Sequence, residues 1–308
     1  MKGCFVGSGS EGLQQPEVCQ QIMALTDKVP SDITVLYLGT ATYDLPSPKH
    51  NQTVRFTEAG CKLSEIKVIG DITPLEDFHA LVGAADVIIV SGGNTLWAID
   101  KWKSIGLVPY ILDAARRGAV LTGGSAGAIC WFDGGHSDSM DGDTFKEAML
   151  AQTQTVVDES SSAPASSCSV KSWEYVRCSC LGIYPGLVCP HADKVQSNGI
   201  LRAVDFDTML QRHLGERGIC IDHFAALCVN GEDFWILSLP GRPGSVLSDG
   251  SYSPSREGVP GIWIKDVVDG KVVTSLCPSK GKITELFRFA VDIVEDPRLS
   301  SIRAANPL

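Results

Sequence analysis

Residues 1–130 alternate short apolar runs with segments whose apolar residues recur at helical spacing. The runs are rich in β-branched residues and predict strands at 4–7, 33–38, 63–69, 86–90 and 119–122. The run VIIV within 86–90 is apolar without alternation, which is typical of a parallel strand covered on both faces. Alternating strands and helices predict an α/β fold, a three-layer sandwich with a mainly parallel central sheet.

Residues 133–172 interrupt this pattern. They are rich in Gly, Ser and Asp, and the stretch SSSAPASSCS at 160–169 cannot build a core. We therefore predict a long loop or insertion here, flexible in its 141–172 part. The whole chain, 1–308, is expected to form a single domain that carries this insertion.

Strands return in the last third of the chain. Apolar runs at 175–180, 219–221, 226–229 and 234–237 predict strands, and helical spacing marks 198–214. Asp269-Gly270 separates two β-rich runs and predicts a two-residue hairpin turn. Helical spacing at about 283–294 predicts a closing amphipathic helix, so the fold should end in a β-hairpin and a helix.

Composition narrows the class of protein. The formal net charge of −10 argues against nucleic acid or an anionic membrane as the main partner. No apolar run approaches the length of a membrane span, and no secretory signal is recognisable at the amino terminus. The eleven cysteines are scattered, mostly in apolar runs, which indicates free thiols in a reducing compartment. We expect a cytoplasmic protein.

One group of residues invites a zinc site. Its members are Cys178, Cys180, Cys189 and His191, but the spacings are C-x-C and C-x-H instead of the usual zinc knuckle. We therefore expect no metal and no organic cofactor.

The turn GGSAG at 123–127 is the first candidate for chemistry. It satisfies G-x-S-x-G between an apolar strand and a helical start, as in a nucleophile elbow, where the serine needs small neighbours. The backbone N–H of Ala126 would then point at the oxyanion that forms on a carbonyl attacked by Ser125. The alternative is a tight glycine turn that only packs or binds a phosphate.

A second glycine turn, SGGNT at 91–95, also follows a predicted strand. Because the carboxyl ends of parallel strands meet at one edge of a sheet, both turns should lie together. The second turn then offers another oxyanion donor, from Gly92 or Gly93.

A nucleophilic serine needs a base and a group that orients it. His191 lies just past a predicted strand that ends in Pro190, and His136 is its rival. Four acids follow the serine turn closely and are candidates for the orienting carboxylate: Asp133, Asp138, Asp141 and Asp143.

Together, "SGGNT", "GGSAGA" and "CPH" resemble the peptidase E and cyanophycinase family of serine peptidases, over about residues 33–229. The resemblance implies a fold of the flavodoxin-like kind, related to class I glutamine amidotransferases, with serine as the nucleophile. It also implies Ser125 as nucleophile, His191 as general base, and the N–H groups of Gly93 and Ala126 as the oxyanion hole.

The family's other site residues match less closely. Asp138 in "GHSDSMDG" is the nearest match to the third catalytic residue, with His136 and Asp141 as alternatives. Gly92 and Asn94 match the substrate-binding turn, and Arg202 in "GILRAV" matches an arginine that would bind an acidic side chain.

By resemblance, the substrate is a small peptide and the reaction is cleavage of aspartyl (Asp-X) dipeptides. Three alternative functions stay open: a cyanophycinase-like peptidase, an α/β-hydrolase-type esterase with His223 as base, and a non-catalytic binding protein on the same scaffold. A homodimer is a further expectation for the assembly.

Overall fold

The computed structural model describes residues 1–155, 170–290 and 293–308, with the backbone alone for residues 152–155. Its strands, in chain order, are β1 (Lys2–Val6), β2 (Thr34–Leu38), β3 (Lys62–Ile66), β4 (Val87–Val90), β5 (Val120–Gly124), β6 (Phe132–Ser137), β7 (Val176–Ser179), β8 (Tyr184–Cys189), β9 (Gly218–Ile221), β10 (Ala225–Asn230), β11 (Asp233–Ser238), β12 (Ile262–Val268), β13 (Lys271–Leu276) and β14 (Lys280–Lys282).

The α-helices, in chain order, are α1 (Ser10–Leu13), α2 (Pro16–Ala24), α3 (Pro46–Glu58), α4 (Leu75–Gly83), α5 (Thr95–Ser104), α6 (Val108–Arg117), α7 (Ala126–Ile129), α8 (Lys146–Thr155), α9 (Arg202–Arg212), α10 (Ile283–Leu286) and α11 (Leu299–Ala305). No helix in the described ranges combines the length and apolarity that a membrane crossing requires.

The first sheet has the strand order β14-β11-β10-β1-β5-β4-β2-β3. The strands from β1 to β3 in this order pair in parallel, and β10, β11 and β14 add antiparallel pairs at the other end. All five strands predicted in the first 130 residues belong to this sheet, so the predicted α/β class is confirmed. The parallel part brings the carboxyl ends of β1, β4 and β5 to one edge.

Both faces of this sheet are covered. Along β4, Val87 and Ile89 lie in one apolar cluster with α2 and α3, whereas Ile88 and Val90 lie in a second cluster with α5 and α6. All four side chains are fully buried. This alternation explains the unbroken VIIV run, since each face of a strand needs its own apolar partner.

The remaining strands form a second sheet in the order β13-β12-β9-β8-β6-β7. Its middle strands β6, β8 and β9 pair in parallel, and the outer ones pair antiparallel. The predicted hairpin is present, with Val268 opposite Lys271 across the Asp269-Gly270 turn. The strands are therefore divided between two sheets, which the sequence pattern had not separated.

The prediction of a loop over 133–172 is wrong at its beginning. Residues Phe132–Ser137 form β6, whose glycines admit neighbouring strands closely: a Cβ on Gly135 would lie 2.5 Å from the carbonyl oxygen of Val188. Steric demand between strands, and not apolar patterning, selects glycine here. Within 141–172, Lys146–Thr155 form α8. The rest of that predicted insertion, 156–169, lies outside the described residues.

The predicted closing helix over 283–294 is also corrected. The helix α10 ends at Leu286, and the chain is extended at Phe287. Residues 291–292 lie outside the described part, and a separate helix, α11, follows near the end of the chain. Its Leu299 and Ile302 pack with Leu96 of α5.

Candidate active site

Ser125 occupies a sharp turn between β5 and α7. It is the residue before the first turn of α7, with φ 56° and ψ −122°, a conformation that is strained for a residue with a side chain. Its neighbours must be small: a Cβ on Gly124 would lie 1.9 Å from the carbonyl oxygen of Ser8, and one on Gly127 would lie 2.1 Å from that of Val90. Strain at the serine and close approach on both sides are the features of a nucleophile elbow.

Two groups of backbone donors surround this turn. The N–H of Ala126 belongs to the first residue of α7, so it has no acceptor within the helix. The glycine turn after β4 packs against the serine, because a Cβ on Gly92 would lie 3.5 Å from Cβ of Ser125. Gly93 in the same turn has φ 115°. The two glycine turns thus lie together, as predicted from their positions at strand ends.

His191, from the second sheet, is held beside the same end of β1 as Ser125. It follows β8, with φ 50°, and its backbone N–H donates to the carbonyl oxygen of Gly7 at 3.0 Å. The backbone N–H of Ser125 donates to the preceding carbonyl, that of Val6, at 3.2 Å. Consecutive carbonyls at the end of β1 therefore anchor both residues. Ser125 follows a strand of the first sheet, and His191 follows a strand of the second.

The imidazole of His191 bonds to a second histidine. The Nδ1 atoms of His191 and His223 are 2.7 Å apart, and Nε2 of His223 lies 2.5 Å from Oε2 of Glu11. Glu11 is in α1, just after β1, and its side chain is 67% exposed, whereas that of His223 is buried. A chain of three side chains thus runs from the surface to His191.

Burial keeps both imidazoles neutral. It lowers the pKa of His191 well below its usual value, and the positive charge of Arg202 lowers that pKa further, as do His223, Lys194 and Arg256. The pKa of His223 is also lowered, first by burial and then by Lys194, while Glu11 opposes the shift. At neutral pH, His191 is therefore able to accept a proton.

Asp138, predicted as the third catalytic residue, makes a different contact. Its carboxylate lies 3.5 Å from Nη1 of Arg202, and the Nδ1 position of His191 that an orienting carboxylate would take is filled by His223. Asp138 directly follows β6, and the end of this strand lies beside Arg202. The geometry corrects that assignment.

The two alternatives to Asp138 are also bound elsewhere. His136 is fully buried, stacks on Tyr175 with ring centres 4.0 Å apart, and bonds through Nε2 to Asp205 at 2.7 Å. Asp141 caps a turn by accepting from the N–H of Asp143. Neither residue orients His191.

Arg202, the first residue of α9, is fully buried. Its guanidinium lies over the ring of Tyr175 at 5.0 Å, and Nη2 donates to the carbonyl oxygen of His136. Nε and Nη1 have no hydrogen-bond partner within the described residues. The positive charge of Arg202 also lowers the pKa of His191, so the two residues interact electrostatically.

Asn94, predicted to bind substrate, is fully buried and its amide is in use. Its Oδ1 accepts from the N–H of Trp97 and so caps α5, and its Nδ2 donates to Oγ1 of Thr144 at 2.9 Å. The side chain positions the glycine turn and the segment after β6. Gly92 beside it remains next to the serine.

Ten of the eleven cysteines lie among the described residues. Among the described residues, no group of three or more His, Cys, Asp or Glu side chains is arranged to hold a metal ion. The ten cysteines in these ranges are free thiols, and all but Cys180 are buried.

Glu11 and the pairing of His223 with His191 were missed from the sequence. Both come directly after strands, Glu11 after β1 of the first sheet and His223 after β9 of the second. The small-residue turn GSGSEG after the first predicted strand was the available signal. The sequence prediction used the glycine turns after β4 and β5 but not this turn after β1.

Two relatives resemble the chain in sequence. A Trypanosoma brucei brucei protein named G2/mitotic-specific cyclin-1 is 30% identical over 329 residues, which cover 100% of this chain and 94% of that protein. A Bacillus subtilis (strain 168) protein named uncharacterized peptidase YgaJ is 35% identical over 105 residues, or 34% of this chain and 45% of that protein.

Two crystal structures share the fold. One, described as a peptidase E protein from Listeria monocytogenes EGD-e, has a TM-score of 0.51 at 15% identity and covers 77% of this chain and 98% of its own. The other, a peptidase from an acI-B1 Actinobacterium, has a TM-score of 0.53 at 16% identity and covers 89% of this chain and 94% of its own.

The sequence model of peptidase family S51 matches residues 5–237. This range holds the serine turn, Glu11, His191 and His223. Its extent, more than half of the chain, agrees with the shared fold of the two peptidases. The chain therefore belongs to peptidase family S51 and is a serine peptidase.

Proposed function

We propose that the protein hydrolyses aspartyl (Asp-X) dipeptides, with Ser125 as nucleophile and His191 as general base. The observation that carries the proposal is the common anchoring of these two residues on the consecutive carbonyls of Val6 and Gly7. Because both backbones are fixed to one strand end, a strained serine and a neutral imidazole belong to neighbouring backbone positions of the two sheets. This supports acyl transfer, which needs a nucleophile and a base held close together.

The proposed reaction proceeds through an acyl-enzyme. Nε2 of His191 takes the proton of the Ser125 hydroxyl as its oxygen attacks the peptide carbonyl. The N–H groups of Gly93 and Ala126 donate to the resulting oxyanion; loss of one such donor costs about 10²–10³-fold in rate. The C–N bond then breaks as His191 gives the proton to the leaving amine. Water repeats the sequence on the ester, releasing the acid and restoring the serine.

Arg202 supports an acidic residue on the amino side of the cleaved bond. A buried guanidinium with two nitrogens free of hydrogen-bond partners is suited to a planar carboxylate. Asp138, 3.5 Å away, offers partial compensation of its charge when no substrate is bound. An aspartyl side chain would supply the missing hydrogen bonds, and an uncharged side chain would leave them unmade.

A second candidate function is non-catalytic binding. The trypanosomal relative is named as a G2/mitotic-specific cyclin, and that name describes no hydrolysis. Family, elbow and base favour the peptidase. Failure of the purified protein to release product from any aspartyl peptide would favour the binding function instead.

The test is a panel of Asp-X, Glu-X, Asn-X and Ala-X dipeptides, with the purified protein and its Arg202→Gln variant. We expect Asp-X to be the best substrate of the wild type. The variant should lose about 10- to 100-fold in kcat/KM on Asp-X and little on Ala-X, since hydrogen bonds to a charged group contribute about 1.5–3 kcal/mol.

Arg116→Gln, at an exposed position with the same change of charge, serves as the control and should match the wild type. Because Arg202 is buried, its substitution could also impair folding. Thermal denaturation of Arg202→Gln and of Arg202→Lys, which keeps the charge, detects such a defect. Equal losses on Asp-X and Ala-X in a folded Arg202→Gln variant would contradict recognition by Arg202.

A further inference from the structure

The contact on Nδ1 of His191 is unusual for a peptidase base, because its partner is an imidazole and not a carboxylate. Two ring nitrogens 2.7 Å apart require one donor and one acceptor. The second ring in turn contacts a carboxylate through its other nitrogen, at 2.5 Å. The chain of contacts therefore has a direction, which the carboxylate sets.

Glu11 determines where each proton lies. An ionised carboxylate only accepts, so Nε2 of His223 must carry a proton. A neutral His223 then has a bare Nδ1, which accepts from Nδ1–H of His191. A neutral His191 with its proton on Nδ1 has a bare Nε2, the atom that must accept the proton of Ser125.

We propose that His223, fixed in one tautomer by Glu11, orients His191 and replaces the carboxylate of an ordinary catalytic triad. His223 and Glu11 are positioning residues, because they act on the serine only through His191. The inference rests on the proposed function for its effect on catalysis. The tautomers themselves are open to measurement without any substrate.

Packing holds His223 in the orientation that this role needs. Its backbone N–H donates to Oδ1 of Asp193 at 2.6 Å, and Arg256 contacts the other oxygen of that carboxylate at 2.5 Å. The ring of Phe224 meets the imidazole edge-on, with centres 4.4 Å apart. The backbone hydrogen bond and the contact with Phe224 together fix the His223 ring. Its two nitrogens therefore stay directed at His191 and Glu11.

The charged groups around the pair favour this neutral form. The positive charge of Lys194 lowers the pKa of both histidines, and Arg202 and Arg256 lower the pKa of His191 as well. The negative charges of Asp193 and Glu11 raise the pKa of His223. Protonation of His223 would place a donor opposite the donor of His191 and break the 2.7 Å contact. His191 would then have to turn its proton to Nε2, where it blocks the reaction.

The experiment compares Glu11→Lys with Glu11→Ala and, as the control that retains an acceptor, Glu11→Gln. Glu11 is exposed on a short helix, so none of these changes removes buried packing. In the alanine variant, water reaches Nε2 of His223 and either tautomer is allowed. In the lysine variant, the ammonium group can only donate, so it favours a bare Nε2 on His223 and the opposite tautomer of both rings. In the glutamine variant, the amide oxygen can still accept from Nε2–H, so the wild-type tautomer is retained. We expect a loss of about 2- to 10-fold in kcat/KM for alanine, a further loss of about tenfold or more for lysine, and the smallest loss for glutamine.

The second readout is the ¹⁵N spectrum of the histidine rings of the full-length protein near pH 7.5, assigned with His223→Asn. We expect His191 protonated on Nδ1 and His223 on Nε2 in the wild type, and a shift of both toward the opposite tautomer in Glu11→Lys. His191 protonated on Nε2 in the wild type, or spectra unchanged by Glu11→Lys, would overturn the proposal. If the tautomers are as expected but no aspartyl peptide is cleaved, the proposed function fails and the relay stands.

Discussion

The two halves of the active site are built in different ways. The serine half lies within one short stretch, 123–127, where β5 turns into α7 and close backbone contacts demand small residues. The histidine half joins three stretches that are far apart in the chain, which supply Glu11, His191 and His223. The serine half is local in sequence, and the histidine half depends on tertiary structure.

This difference separates two kinds of failure. Damage to the local turn strains the backbone, so it should lower both stability and activity. Damage to the chain of side chains leaves the backbone in place, so it should change proton positions, rates and pH dependence with little effect on stability. Variants in the two halves are therefore expected to differ in kind as well as in size.

The largest expected effect is that of Gly127→Ala in the serine half. A methyl group there would lie 2.1 Å from the carbonyl oxygen of Val90, a backbone atom that cannot rotate away. We expect a loss of about 1–3 kcal/mol in the free energy of unfolding, measured by urea denaturation, and a lower kcat, because α7 must move away from β4.

Gly83→Ala is the matched control. Gly83 ends α4, and a Cβ there meets nothing within 4 Å. Alanine should leave activity unchanged and stability unchanged or raised by up to about 1 kcal/mol. Wild-type stability and activity in Gly127→Ala would show that the tight approach of α7 to β4 is not needed.

A smaller effect is expected from Lys194→Gln in the histidine half. In the proposed mechanism, activity requires neutral His191, which predominates above the pKa of that residue, and burial lowers this pKa below its ordinary 6.5. The acid limb of the kcat/KM profile should therefore lie below pH 6.5 in the wild type. Since Lys194 lowers the pKa of both histidines, its removal should move the limb to higher pH, by less than about one unit.

Lys103→Gln, with the same change of charge at an exposed position on α5, should leave the limb where it is. An acid limb that stays fixed in Lys194→Gln, or moves to lower pH, would show that Lys194 does not act on the base. Stability of Lys194→Gln should stay near that of the wild type.

Much of the fold was open to prediction because its signals are local. Continuous apolar runs identified β1 to β5, and Asp269-Gly270 identified the last hairpin. The strand β6 was missed because its glycines are chosen by neighbouring strands, which no window of sequence contains. The same holds for the division into two sheets, since it depends on pairing between distant segments.

The site divides along the same line. The place of Ser125 in a sharp turn, packed against the glycine turn after β4, could be predicted because a strand end, a G-x-S-x-G pattern and small residues occur together in one window. The partner of His191 was not found, because proximity in sequence favoured Asp138, which instead faces Arg202 at 3.5 Å. His223 had been considered only as a rival base, and its place beside His191 depends on the pairing of β8 with β9.

The most direct test of the account is covalent labelling by a serine-directed aryl phosphonate, followed by peptide mass spectrometry, on the wild type, Ser125→Ala and His191→Ala. If Ser125 is a nucleophile activated by His191, a single adduct will form on Ser125, will be absent from Ser125→Ala, and will form far more slowly in His191→Ala. An unlabelled wild type, an adduct on another residue, or equal rates in the wild type and His191→Ala would contradict the account.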